Sequence, residues 1–440
     1  MSENDSSSGW DNIIDDFIKH INVLKNTAPI VLDLLSMRIL KSSRILNGYV
    51  EQKGIEKVED EDEEGKKQLL IPKEAFSRFI KLDEQLSDSF LALKMLPVNF
   101  VVSLVSQFDA YLGKLIRQIF EIQPEILNSS EKLLKFSDLT SFEDIDEAKE
   151  YIIEKEIESV LRESHINHFV WLERKLDIPL RKDLPSFLDF IEITERRNLF
   201  VHTNGVVSRQ YLSVCQKNCP KLVEDISIGD KLNADTEYLV KSQEIIFEIG
   251  VKLGHVMWRK LMPDDLENAD KHLNMICYDL LQSGDFRLSQ NLLHFSTKIL
   301  RKHSNDEIMS MQIINHALSY YLMGDKKKCK QILKSKDWSA SNDKFLLAID
   351  VLKDNYDSAK ELMISIGANN NHLTKEAYRE WPLFNAFRES DQFLSAYEEI
   401  FDEKFKFMEN EPLKLESILD EINHFKKTTE EIKKDKSGDD

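Results

Sequence analysis

The chain has 440 residues, with only 13 Gly and 10 Pro, and a formal net charge of −19. Gly and Pro together make about 5% of it, against roughly 12% in an average globular protein. That scarcity excludes folds built on many tight turns (barrels, sandwiches, propellers), and neither G-x-G-x-x-G nor G-x-x-x-x-G-K-[ST] occurs, which excludes the Rossmann and P-loop phosphate cradles.

The chain is predicted to be all-α. Residues 1–9 are acidic and Ser-rich and read as a disordered N-terminus, not a signal peptide. A helical domain is predicted over 10–262. Its first helix covers 10–46, with Ile13, Ile14, Phe17, Ile21 and Leu24 at three-and-four spacing. An acidic loop follows over 47–71, carrying six consecutive acids from Glu59 to Glu64. A helix over 73–96 is expected to break at Pro97, and a second to run over 99–122. The longest apolar run, Leu91 to Phe108, is interrupted by Lys94, Pro97 and Asn99, so no membrane span is expected. Residues 124–143 read as loop, with a short turn at 130–136. One long amphipathic helix is predicted over 144–176, then a break from Pro179 to Pro185. The next helix ends at Asn204-Gly205, a left-handed C-terminal cap. Ser208 opens another helix, and a last one covers 236–261.

Four Cys in this length suit a reducing, cytoplasmic setting. Cys215 and Cys219 lack the second pair that a zinc set needs, so neither a metal nor another cofactor is expected. After Pro263 the pattern changes. Helix–turn–helix units recur at Gly284-Asp285, Gly324-Asp325, Asp354-Asn355 and Ser390-Asp391. Steps of 31–40 residues match the period of an α-solenoid. Residues 265–408 therefore resemble degenerate tetratricopeptide repeats, which implies a surface for a protein partner or trigger. Residues 409–440 form a charged, helix-prone tail.

One segment carries candidate chemistry: Glu195-Arg196-Arg197-Asn198-Leu199-Phe200-Val201-His202-Thr203-Asn204-Gly205. The Arg–His spacing alone is common. Arg162–His168, Arg287–His294 and Arg196–His202 fit it too. The 197–202 site is set apart by the Asn after the Arg, the capped helix end and the helices before it. It is similar to the R-x(4–6)-H motif of the HEPN superfamily (higher eukaryotes and prokaryotes nucleotide-binding). The resemblance implies an all-helical bundle and a metal-independent endoribonuclease, often a toxin or phage-defence effector. It further implies Arg197, Asn198 and His202 as catalytic residues, Asp109 as a nearby acidic partner, and a site shared across a homodimer.

Residue chemistry agrees with that reading. A His titrating near neutral pH can serve as general acid or base, and a guanidinium can hold phosphate oxygens. Arg197 and His202 lie about 140° apart around a helix and share no face, which suits a composite site. Arg196, Arg209, Arg181 and Lys182 are the candidate RNA contacts. Tyr111 and Tyr211 read as packing residues. The alternative is a non-catalytic helical adaptor that dimerises through the bundle and holds a protein on the repeats.

Overall fold

In the computed structural model the described residues are 9–53, 55–61, 67–129, 142–368 and 373–407. Residues 1–8, the turn expected at 130–136 and the tail expected at 409–440 lie outside them. The described chain is all-α apart from one small hairpin, and it divides into two compact units, 1–337 and 338–440.

The scarcity of Gly and Pro shows in two very long helices. α1 is Trp10–Lys53, with 44 residues, and α2 is Lys73–Ile122, with 50. They run antiparallel: Asp16 pairs with Lys114, and the Tyr49 hydroxyl donates to the Ala75 carbonyl at 3.2 Å. α2 passes straight through Pro97, where the sequence predicted a break. A helix-interior proline costs about 3 kcal/mol. The packing of α2 against α1 on both sides of Pro97 outweighs that cost, with Leu82, Ser89, Val101 and Leu104 all buried. By length and composition α2 is the described helix that could cross a membrane. One face of its second half, from Val101 to Phe120, is buried in the core of the first unit.

The loop expected at 47–71 is shorter than predicted. α1 continues to Lys53, and β1 (Glu56–Glu61) pairs antiparallel with β2 (Lys67–Leu70) in the register Glu56↔Leu70 and Lys57↔Leu69. The ladder uses backbone groups, which a high acid content does not remove.

The helix expected over 144–176 is two. α3 (Ile145–Leu161) is capped by Asp144, and α4 (His165–Leu176) by Ser164, whose side chain accepts from the Asn167 N–H at 3.3 Å. Then come α5 (Phe187–Thr203), α6 (Arg209–Asn218) and α7 (Thr236–Leu261). α7 lies very close to α1 and α2. A Cβ on Gly254 would sit 2.2 Å from the Tyr111 hydroxyl, which itself donates to the Gly250 carbonyl at 3.1 Å. Tyr111 also stacks on Phe17 at 4.3 Å, so α1, α2 and α7 share one tightly packed seam.

The sequence places a domain boundary near Pro263, but the core continues through it. α8 (Leu266–Gln282) and α9 (Phe286–His294) add Leu273, Cys277, Leu292 and Leu293 to the same apolar cluster. A buried ion pair, Arg259 to Asp270 at 2.6 Å, ties α8 to α7. Burial alone raises the Asp270 pKa, but His303, Arg259 and the Ser304 N–H outweigh it and hold it at about 2. α10 (Asp306–Leu322) and α11 (Lys326–Leu333) complete the first unit.

The second unit contains α12 (Asp343–Leu352), α13 (Tyr356–Ile366), α14 (Lys375–Glu380) and α15 (Asp391–Phe401). Tyr378, Phe384, Phe387, Phe393 and Tyr397 form its buried aromatic core. The helical hairpins α8–α9, α10–α11 and α12–α13 turn at 283–285, 323–325 and 353–355, where repeat turns were predicted.

Candidate active site

α5 bears the motif, and its C-terminal end is pinned by neighbouring backbone. Asn204 and Gly205 both take positive φ, 52° and 81°. The Gly205 N–H donates to the Leu199 carbonyl at 2.9 Å, closing the helix. A Cβ there would stand 2.4 Å from the Leu232 carbonyl oxygen, so glycine is required. The Leu232 N–H donates back to the Gly205 carbonyl at 2.9 Å. His202 sits in the last turn of this fixed end and is exposed. Among the described residues no hydrogen bond, ion pair or ring contact engages its imidazole.

Arg197 turns towards α2. Its side chain is 18% exposed; Nη2 donates to Asp109 Oδ2, and Nη1 donates to Asn198 Oδ1 at 3.3 Å. The other Asp109 oxygen, Oδ1, lies 2.8 Å from Nε2 of His165, which is buried at the start of α4. One carboxylate thus joins a guanidinium on α5 and an imidazole on α4. The structure brings together Arg197, Asn198 and Asp109, as the sequence predicted, and leaves His202 apart from them within one chain.

His165 was missed because the segment 162–168 read as mid-helix. The available signal was Ser164, a capping residue immediately before it. The His165 ring packs on Phe108 and Phe190, with centroids 6.3 and 5.7 Å away, and on His168 at 5.0 Å. Burial raises the pKa of Glu195, two residues before Arg197, against the pull of His165 and Arg197.

His168 is 1% exposed. Burial first, then the neighbouring His165, depresses its pKa to about 4, and the Asp109 carboxylate only partly offsets this. The folded chain therefore refuses a proton that the unfolded chain accepts below about pH 6.5. Stability falls as pH drops from 6.5 towards 4, and His168 contributes about 2 kcal/mol of that loss by pH 5. In His168→Phe, the difference in urea-unfolding free energy between pH 7 and pH 5 is expected to shrink by about that amount. An unchanged difference contradicts the assignment.

The other candidate contacts differ in availability. Arg196 is turned inward, 15% exposed, with Nε 2.6 Å from Glu192 and its guanidinium 4.2 Å over the Tyr238 ring. Glu192 also accepts from the Tyr211 hydroxyl at 2.7 Å and the Tyr238 hydroxyl at 2.9 Å. This network fastens α5 to α6 and α7, because Glu192 and Arg196 are four apart and share one helix face. It leaves Arg196 off the surface that a nucleic-acid backbone meets. Arg181 is partly exposed and bound to Glu173 through Nη2 at 2.6 Å. Lys182 and Arg209 are exposed. Tyr111 and Tyr211 are packing residues, as predicted, and all four Cys are buried outside any disulfide.

Compared with known proteins, the chain matches no family model, no curated protein and no solved structure.

Proposed function

We propose that the protein is a HEPN-type endoribonuclease that cuts RNA without a metal ion, through Arg197, Asn198 and His202. The observation that carries this reading is the division of labour along α5. Arg197 is held at a partly exposed position by Asp109, while His202 stands free at a rigid helix end.

The chemistry needs only side chains. A neutral His202 takes the proton of a ribose 2′-hydroxyl, whose oxygen attacks the adjacent phosphorus. The guanidinium stabilises the added negative charge on the phosphate oxygens. The 5′-oxygen of the next nucleotide leaves with a proton from a protonated His202 of a second protomer. The products are a 2′,3′-cyclic phosphate and a 5′-hydroxyl. Since Arg197 and His202 face different ways on one helix, the complete site is a composite of two chains. The segment from Arg162 to Lys217 does not share the global acidic excess, with nine Lys/Arg against seven Asp/Glu.

The biological role that goes with this reading is a toxin or phage-defence effector in the cytoplasm, whose basal cleavage is restrained by the repeat region or a partner and outruns that restraint when the chain is overproduced. The adaptor reading draws on one observation: Asp109 already meets the charge of Arg197. Expression in growing cells separates the two. The parent chain is expected to arrest growth and fragment RNA, and Arg197→Ala to do neither. If both chains fragment RNA alike, Arg197 is not catalytic; if neither does, the adaptor stands.

A further inference from the structure

A cavity of about 680 Å³ opens in the first unit beside the start of α5, away from Arg197 and His202. Its apolar wall includes Phe169, Leu180, Ile245, Ile249, Leu253 and Phe295. A volume of this size is typical of small-molecule sites. We propose that it binds a small amphipathic anion, a single acidic head on a slim apolar body, with the head beside Lys252 and the edge of α9. The proposal is independent of the RNA reading.

The polar wall supports the anion. Lys252 is 9% exposed, and its Nζ lies 2.5 Å from Glu248 Oε1. That carboxylate is already saturated: the Ser186 hydroxyl donates to Oε1 at 2.8 Å, and Asn291 Nδ2 donates to Oε2 at 2.9 Å. An ammonium has three N–H donors, so two remain for a ligand. Its other neighbour is the Phe295 ring face, 5.7 Å from Nζ.

Lys252 and Lys298 both act on the α9 edge. His294 lines the cavity there, and its pKa is lowered by burial and by the charges of Lys252 and Lys298. Of the other acids that line it, Asp189 pairs with Lys241 at 2.6 Å, and Asp183 lines it together with Lys182. A cationic head meets Lys252, Lys298 and a satisfied carboxylate, whereas a neutral one makes no charge-assisted bond with the two remaining Lys252 donors.

Calorimetry on the full chain at pH 7, with three eight-carbon probes, tests this. Octanoate is expected to bind 1:1 and about tenfold tighter than octanol, as one charge-assisted hydrogen bond implies, with octylamine weakest. The neutral double variant Glu248→Gln/Lys252→Gln keeps hydrogen-bonding groups and should lower the preference for octanoate over octanol from about tenfold to about twofold to threefold, the share left to Lys298. Should that variant not fold, Lys298→Gln, an exposed change, should weaken octanoate about twofold to threefold and leave octanol unaltered. Octanol binding as tightly as octanoate to the parent, octylamine binding best, no saturable 1:1 binding, or a preference left undiminished by the charge removals overturns the proposal.

Discussion

His202→Ala is expected to lower RNA cleavage by about 10²–10⁴-fold, the usual contribution of a positioned general acid or base. Its stability should stay within about 0.5 kcal/mol of the parent, because an exposed side chain with no packing role contributes little to folding. The contrast between the two readouts makes the result informative. If cleavage is unchanged, His202 is a surface residue. If stability falls instead, it has a structural role that its exposure does not reveal. Urea unfolding alongside cleavage of a fluorescent RNA measures both on one preparation.

Asp109→Ala should act on both quantities at once. The carboxylate is the acceptor for Arg197 and for His165, whose side chains are 18% and 8% exposed. Removing one partner of a largely buried pair leaves the other charge without compensation, at a cost of about 3 kcal/mol. Asp109→Asn keeps an acceptor oxygen and should cost about 1–2 kcal/mol. Cleavage should drop more than tenfold in both, because an unanchored guanidinium no longer meets the phosphate in one geometry. A variant as stable and as active as the parent would make Asp109 a passive surface acid.

Much of this arrangement was legible in the residues. The few Gly and Pro excluded turn-rich folds, and the described chain is helical, with α1 and α2 of 44 and 50 residues. Gly205 marked the end of α5, because the left-handed cap is a local requirement and shows in local sequence. Asp109 was identified through the resemblance, 88 residues from Arg197.

What escaped the sequence depends on tertiary context. Pro97 reads as a breaker, yet packing along α2 repays one lost hydrogen bond. Arg196 and Arg197 are adjacent and chemically alike, and only the fold sends one to Glu192 and the other to Asp109. His165 joins the site because α4 begins there, which hinged on Ser164 capping a new helix. The boundary near Pro263 followed a real change of pattern, but Arg259 and Asp270 bind the two sides together.

The most direct test of the central claim is to incubate the purified chain with RNA in excess EDTA and determine the ends of any fragments. Metal-independent cleavage leaving 2′,3′-cyclic phosphate and 5′-hydroxyl ends, absent in Arg197→Ala and His202→Ala, is the predicted result. Intact RNA, or fragments that form equally with either variant, would contradict it.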